Sequence, residues 1–369
     1  MGESLIRKLS SIKIGKTAMK VILKSLYRFL RRIAVVLCNA PFMGGVSNAP
    51  CYFSEKKRKG VCARYIDNLL WLIKKGEKNR FYTQYGLDIK GSVSANYIGF
   101  WEFAGLRNSF NQLLRFDNSI GILRDKFLFY KYMSVNKLSV PEVFAITSDG
   151  IIYDVFFSPM DTQTLEQEKG YFVKDAAGEC ASFVKHINDY EHLQTVLPMM
   201  KNGKFIFQRK IVQHQEMNRL NPGAVNTIRI VTINDGSRTY PFAAILRVGT
   251  QKSGCADNTS AGGIALGIND DGLLYEKGML KPQYGTTLSS HPDTGVIFKE
   301  FKIPYYTEAV KLVCQAHKFF YNVRSIGWDV AISENGPIII EGNDNWEITS
   351  IQAIYGGKKK QLMRLMRTN

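Results

Sequence analysis

GWDVAISENGPIIIEGNDNW, residues 327–346, reads as two apolar strands joined around Asn335-Gly336. Asp329 lies in the first strand, and Glu341 and Asn343 close the second. A single acid at a strand end is common, but two carboxylates and an amide in this spacing are three hard oxygen donors. Magnesium takes such donors and is usually held by one or two carboxylates together with substrate phosphates. The hairpin also sets a geometric condition. A two-residue Asn335-Gly336 turn would pair Val330 with Glu341, and side-chain alternation would then send the Asp329 and Glu341 carboxylates to opposite faces. A shared metal therefore requires an odd-length connection or a bulge within residues 333–338, with Gly336 available for a left-handed position. The two carboxylates are then expected roughly 4–6 Å apart.

Working back along the chain, short runs rich in β-branched and aromatic residues read as strands: 143–147, GYFVK (170–174), KFIFQ (204–208), NTIRIVTI (226–233) and PFAAILRV (241–248). RDKFLFYKYMSVNKL reads as a helix that closes before Pro141. Residues 51–120 read as mostly helical, and the tail after Gly357 as a short basic helix or a frayed end. There is no internal repeat and no GxGxxG between residues 51 and 120.

Arg229 and Arg247 fall inside strands, where a guanidinium needs a charged partner or a path to solvent. The loop GTQKSGCADNTSAGG follows Arg247, and its amides together with Asn258 could close on an anion near Gly262 and Gly263. Lys126 opens a helix after Asp125, and Lys174 ends a strand before a small-residue loop; both suit phosphate, although an isolated lysine is ordinarily a solvated surface residue. His291, in HPDTG, is the one histidine in a motif-like context, and it could equally shape a turn before Pro292.

The order of these residues resembles the ATP-grasp superfamily, and within it the sugar-transfer-associated ATP-grasp family. The similarity is carried by NTIRIVT, LRVG…DNTSAGG, HPDTG, IPYY, GWDVA and EGNDNW over residues 120–350. It implies an α+β fold in which two subdomains clasp ATP, preceded by a mostly helical region. The expected division is a basic arm at 1–50, a helical region at 51–120, a lid subdomain at 121–207, a catalytic subdomain at 208–356 and a basic tail at 357–369. The resemblance further implies that Lys126 and Lys174 contact nucleotide phosphates and that the hinge Gln208, Arg209, Lys210 and Ile211 holds adenine. Arg229, Arg247 and Asn258 would serve the transferring phosphoryl group, Gly262, Gly263 and His291 the substrate, and Asp329, Glu341 and Asn343 would bind Mg²⁺. The implied reaction joins a carboxylate to an amine through an acyl phosphate at the expense of ATP, with a glycan or lipid-linked glycan as a reactant. Two other readings stand beside it: a kinase acting on a glycan hydroxyl, and a non-catalytic glycan- or membrane-binding scaffold.

Composition bounds these readings. The 369 residues are 45% hydrophobic, enough for one large or two moderate domains. Six scattered cysteines without a CxxC pair, and histidines without zinc spacing, indicate neither a disulfide framework nor a zinc site. No apolar run is long enough to span a bilayer, so a cytoplasmic location is expected. Nearly half of the formal charge of +17 lies in the first 32 residues, which hold nine basic side chains against the single acid Glu3. There Ile22, Leu26, Phe29, Leu30, Ile33 and Leu37 recur at helical spacing opposite Lys20, Lys24, Arg28 and Arg31. Such a basic amphipathic helix either lies on an anionic membrane at the inner face of the cell or packs on the domain. Nucleic acid ranks last as a partner, since no recognised nucleic-acid-binding motif accompanies the charge.

Overall fold

The computed structural model describes residues 49–111, 119–178, 183–254, 257 and 259–367, with isolated positions at 34, 38 and 45. The basic helix expected before residue 38 lies outside the described residues, as does Asn258. By contact the chain divides into two units, Met1–Ala95 and Asn96–Asn369.

In the first unit, helix α1 (Val61–Lys75) ends where Gly76 adopts φ 72° and donates its N–H to the Leu72 carbonyl. Tyr52, Trp71, Leu72, Tyr82, Tyr85 and Leu87 are buried. Arg58 pairs with Asp88 at 2.7 Å and Lys59 with Asp67 at 2.7 Å. Positive φ at Gly86 and Gly91 turns the chain repeatedly after α1, so turns occupy much of a stretch that apolar content alone suggests is helical.

The second unit contains helices α2 (Phe100–Asn111), α3 (Ser119–Arg124) and α4 (Lys126–Val135). Asp125 caps α4 by accepting the N–H groups of Phe127 and Leu128. Strands β1 (Val143–Ser148), β2 (Ile151–Asp154), β3 (Tyr171–Asp175), β4 (Val184–Ile187) and β5 (Lys204–Arg209) form an antiparallel sheet in the order β2-β1-β5-β3-β4. Helix α5 (Tyr190–Val196) packs Leu193 and Val196 into its core beside Tyr171, Val173 and Phe207.

After α6 (Gln215–Leu220) come β6 (Thr227–Asn234), β7 (Thr239–Val248), β8 (Ile264–Gly267), β9 (Gly278–Met279) and β10 (Thr287–Leu288). Helix α7 (Tyr306–Phe319), strands β11 (Ser325–Ser333) and β12 (Gly336–Asn343), and helices α8 (Thr349–Tyr355) and α9 (Lys359–Arg367) complete the chain. The second sheet runs β10-β9-β8-β7-β6-β11-β12 and is antiparallel throughout. Alternation gives it two buried faces. Ile228, Ile230, Leu246, Trp328 and Val330 share a core with Val313 and Ala316 of α7. Val231, Ile233 and Ile245 share the other with Phe103 of α2, Ile351 of α8 and Leu362 of α9. Two antiparallel sheets with mixed helices are the architecture that the ATP-grasp resemblance implies. Among the described residues no helix is long and apolar enough to cross a membrane.

Candidate functional site

A row of polar side chains crosses four strands of the seven-stranded sheet. Arg247 lies opposite Thr227, Arg229 stands two residues along β6 on the same face, Asp329 lies opposite Arg229, and Glu341 lies opposite Asp329. Asn343 pairs with Gly327 one step further along that face. The Asp329–Glu341 register is the one a shared metal requires, but it arises differently from the expectation. The turn is a tight two-residue Glu334-Asn335 connection between paired Ser333 and Gly336, and the bulge is Ile340, outside residues 333–338. Ser333 fixes that turn: its hydroxyl donates to the Gly336 carbonyl at 2.8 Å and accepts the Asn335 N–H at 3.2 Å. The extra residue is therefore displaced up the strand, where it aligns Glu341 with Asp329.

Asp329 is the electrostatic centre of the row. Arg229 forks onto it, Nε to Oδ1 at 2.5 Å and Nη2 to Oδ2 at 2.9 Å, and Arg247 Nη2 reaches Oδ2 at 2.8 Å. Burial pushes the Asp329 carboxyl up, but the two guanidinium groups outweigh it and hold the group well below the usual carboxylate range. Glu341 moves the other way: burial raises it, and so does the neighbouring Asp329 charge, to which it is hydrogen-bonded. Asn343 Nδ2 donates to Glu341 Oε1 at 3.0 Å. Two adjacent carboxylates of which one favours protonation, backed by an amide, form a donor set that fits a hard cation in place of the proton. Among the described residues no group of three or more histidine, cysteine, aspartate or glutamate side chains could hold a metal. Two carboxylates with an amide match magnesium's habit of completing its shell with phosphate oxygen and water.

Arg247 is anchored from its other side. Its Nε and Nη2 donate to Thr227 Oγ1 at 3.1 and 2.8 Å, the Thr227 hydroxyl donates to Asp257, and Asp257 Oδ2 lies 3.5 Å from Arg247 Nε. Thr227 and Asp257 are participants that sequence reasoning passed over. The period-two spacing of Thr227 and Arg229 was a usable signal for the first, whereas Asp257 sits beside Asn258 in a loop without periodicity.

Across from this row, a pocket is lined by Lys126 of α4, Lys174 of β3 and Gln208 of β5 together with Ile340 and Glu341 of β12; Phe129, Tyr130, Val140 and Pro141 supply an apolar wall. Both sheets thus contribute to one cavity. Lys174 Nζ donates to Gln208 Oε1 at 2.6 Å. Burial lowers Lys174 to about 8, the charge of Lys126 adding to the effect while Glu341 opposes it. Lys126 Nζ donates to the Gly178 carbonyl at 2.5 Å, which ties α4 to the loop after β3.

The remaining residues singled out from the sequence lie around this centre. Arg209 is exposed and paired with Glu142 at 2.9 Å and Glu168 at 2.6 Å, so its side chain is engaged outside the pocket. Lys210 and Ile211 continue the chain out of β5. Gly262 and Gly263 are buried; Gly262 has φ 105°, and its carbonyl accepts the Thr250 hydroxyl at 3.2 Å. His291 is buried, with Nε2 2.9 Å from the Gly249 carbonyl and Nδ1 accepting the Asp293 N–H at 3.3 Å. One ring nitrogen is thus spent on the chain that follows Arg247 and the other on the turn that follows His291 itself. Two arginines brace the end of β12: Arg124 forks onto Asp344 at 3.0 and 2.7 Å, and Arg107 Nη1 donates to the Trp346 carbonyl at 2.6 Å.

Gly327 lets this packing close. A Cβ there would fall 2.6 Å from the Trp346 Cβ and 3.4 Å from Cδ of Arg229. Gly327→Ala is therefore expected to cost about 1–3 kcal/mol by overpacking. Urea denaturation checks it, and a midpoint equal to wild type would show that Trp346 yields freely.

Residues 184–364 match the family model described as sugar-transfer associated ATP-grasp. No curated protein sequence matches the chain. Solved structures with similarity include D-alanine–D-alanine ligase from Bacillus anthracis, at 15% identity and TM-score 0.39 over 67% of this chain and 66% of that one. The ATP-grasp ligase PsnB, complexed with a minimal precursor, shares 12% identity at TM-score 0.38 over 67% of this chain and 62% of that one. N5-carboxyaminoimidazole ribonucleotide synthetase from Thermotoga maritima shares 10% identity at TM-score 0.35 over 61% of this chain and 42% of that one. The chain thus spans less than two thirds of the length of each of these three proteins.

Proposed function

We propose that this chain, which over residues 184–364 belongs to the sugar-transfer associated ATP-grasp family, is a Mg·ATP-dependent carboxylate–amine ligase. The observation that carries the reading is the convergence of Lys126, Lys174 and Gln208 from one side and Glu341 from the other on one pocket, continuous with the Arg247–Arg229–Asp329–Glu341 row. Phosphoryl transfer asks mainly for positioning and neutralisation of charge, and this set supplies both without a nucleophilic side chain.

In this reading Lys126 and Lys174 receive nucleotide phosphates, and the apolar wall beside Gln208 and the Arg209–Ile211 backbone takes the base. Asp329, Glu341 and Asn343 would hold Mg²⁺, which neutralises phosphate charge when bound. Arg229 and Arg247 turn from Asp329 toward the transferring phosphoryl group and stabilise its charge as a substrate carboxylate attacks. The backbone amides at Gly262 and Gly263 would meet the acyl phosphate, Asn258 being their expected companion from sequence, and an amine then displaces phosphate. The ligands belong to carboxylate and amine classes, with an acidic or lipid-linked glycan suggested by the family's description and by the basic arm.

A kinase acting on a glycan hydroxyl would profit from a general base, and His291 is the histidine that the sequence sets in a motif-like context. Its ring nitrogens are engaged with Gly249 and Asp293, so no observation favours that reading. ADP release measured with a panel of uronic and amino acids, in the presence of hydroxylamine, tests the ligase. Hydroxamate supports an acyl phosphate, phosphorylated sugar without hydroxamate selects the kinase, and no acid- or sugar-dependent ADP removes both.

Lys174 gives this reading a pH signature. With its ammonium lowered to about 8 by burial, the charge that would receive phosphate is present below that pH and lost above it. The Mg·ATP dissociation constant should rise by up to about tenfold per pH unit above pH 8. Calorimetric titrations on either side of that pH check this, and a flat profile would remove Lys174 from the phosphate site.

A further inference from the structure

Helix α1 is oriented in a way that neither its own fold nor the ligase reading explains. Its inward side buries Arg64 and Asn68 as well as Trp71 and Leu72, whereas Val61, Ile66, Leu70 and Ile73 are 59%, 53%, 44% and 47% exposed. At 100° per residue, Cys62, Ala63, Ile66, Leu69, Leu70 and Ile73 form one continuous apolar stripe pointing outward. Single exposed apolar side chains are ordinary, but a whole helix face of them marks a contact surface.

The rims of the stripe are cationic. Lys56 and Lys57 are exposed just before the helix, and Lys74 is exposed at its end. Residues 49–95 hold ten basic side chains against four acidic ones. Three of those acids are neutralised or withdrawn: Asp88 is paired with Arg58, Asp67 with Lys59, and Glu77 is buried. Two copies of this face brought together would oppose lysine to lysine, which disfavours a self-complementary dimer. An apolar strip bordered by lysines complements a surface with acyl chains beneath anionic headgroups.

We propose that the outward face of α1 docks on an anionic lipid surface, Ile66, Leu70 and Ile73 entering the headgroup boundary while Lys56, Lys57 and Lys74 meet lipid phosphates. This surface is independent of the ligase reading and lies apart from the basic arm in sequence. Sedimentation of the full chain with vesicles of phosphatidylglycerol and phosphatidylcholine tests it, with pure phosphatidylcholine as the neutral control. Ile66→Ser/Ile73→Ser is expected to weaken binding to the anionic vesicles at least about tenfold. Because these side chains are exposed, the double variant should melt where the wild type does. Lys56→Ser/Lys57→Ser should weaken binding at low salt and lose its effect at high salt, a change that misfolding would not produce. Unchanged vesicle binding in the isoleucine variant overturns the proposal. So does a wild-type dimer that this variant splits while its vesicle binding stays the same, since that assigns the stripe to a second copy.

Discussion

Replacing Lys174 with methionine will leave the protein at least as stable as the wild type and remove most of its ATP turnover. The stability half follows from burial. Lys174 is lowered from 10.5 to about 8 mainly by desolvation, so below pH 8 the folded chain carries an ammonium that it would hold more easily unfolded. Up to roughly 3 kcal/mol is at stake. Sign matters here: for a lysine lowered by folding, the unfolded chain binds more protons between about pH 8 and 10.5, so this destabilisation is full below pH 8 and fades as pH rises. Methionine removes it, at the cost of leaving Gln208 Oε1 without its 2.6 Å donor, about 1–3 kcal/mol. The net is near zero or favourable at neutral pH. Turnover should fall by on the order of 10²–10³, the usual effect of removing one preorganised charge from a transferring phosphoryl group. Thermal melts and ADP release on the same preparation separate the two halves. A large fall in melting temperature would mark Lys174 as structural, and wild-type turnover would exclude it from the site.

Arg247→Ala should damage both stability and activity, unlike the lysine variant. The structure ties Arg247 to Asp329 at 2.8 Å, to Thr227 at 2.8 Å and to Asp257 at 3.5 Å, so its loss reaches beyond turnover. Its side chain and that of Asp257 are 13% and 12% exposed. Removing it leaves Asp257 a buried carboxylate without its main counter-charge, Arg229 acting only at longer range, which costs up to about 3–5 kcal/mol. Arg229 still serves Asp329, so the loss concentrates on Asp257. Burial already raises that carboxyl, and Arg247 was the main opposing influence. An acid raised by folding takes up its proton in the folded state first, so the deficit should shrink in acid and grow as pH rises through the carboxylate range. Denaturation midpoints at several pH values check the trend. A deficit that does not vary with pH would point to lost packing rather than to an unpaired charge.

How far the site was legible follows from local pattern. Strands β6 and β7 were visible because NTIRIVTI and PFAAILRV are rich in β-branched and aromatic residues, and a guanidinium inside such a strand already asked for a charged partner at Arg229 and Arg247. The Asp329–Glu341 pairing was legible as a condition, but its cause was not. Ile340 is the last of three consecutive isoleucines, and nothing in such a run says which one forms a bulge. Thr227 and Asp257 were missed because their role is tertiary: each matters only once Arg247 lies between them and Asp329. The short strands β2, β4, β8, β9 and β10 were missed as well, being too short to show a period. His291 illustrates the opposite case, a residue conspicuous in sequence whose ring is consumed by the backbone of Gly249 and Asp293.

The order of elements in the second unit has a consequence for biosynthesis. The five-stranded sheet is built wholly from residues 143–209 and can close on its own hydrophobic core as soon as that stretch has left the ribosome. The seven-stranded sheet cannot. Leu123 and Phe129 share a core with Ile339, and β11 must insert between β6 and β12 before the sheet is continuous. During vectorial synthesis the nascent chain therefore carries a finished five-stranded sheet beside an open sheet edge at β6, with the apolar faces of β6 and β7 uncovered, until the final hairpin arrives. Asp329 and Glu341 are delivered by the same hairpin that covers that edge, so chains truncated before residue 325 are expected to be aggregation-prone and to lack the proposed metal site.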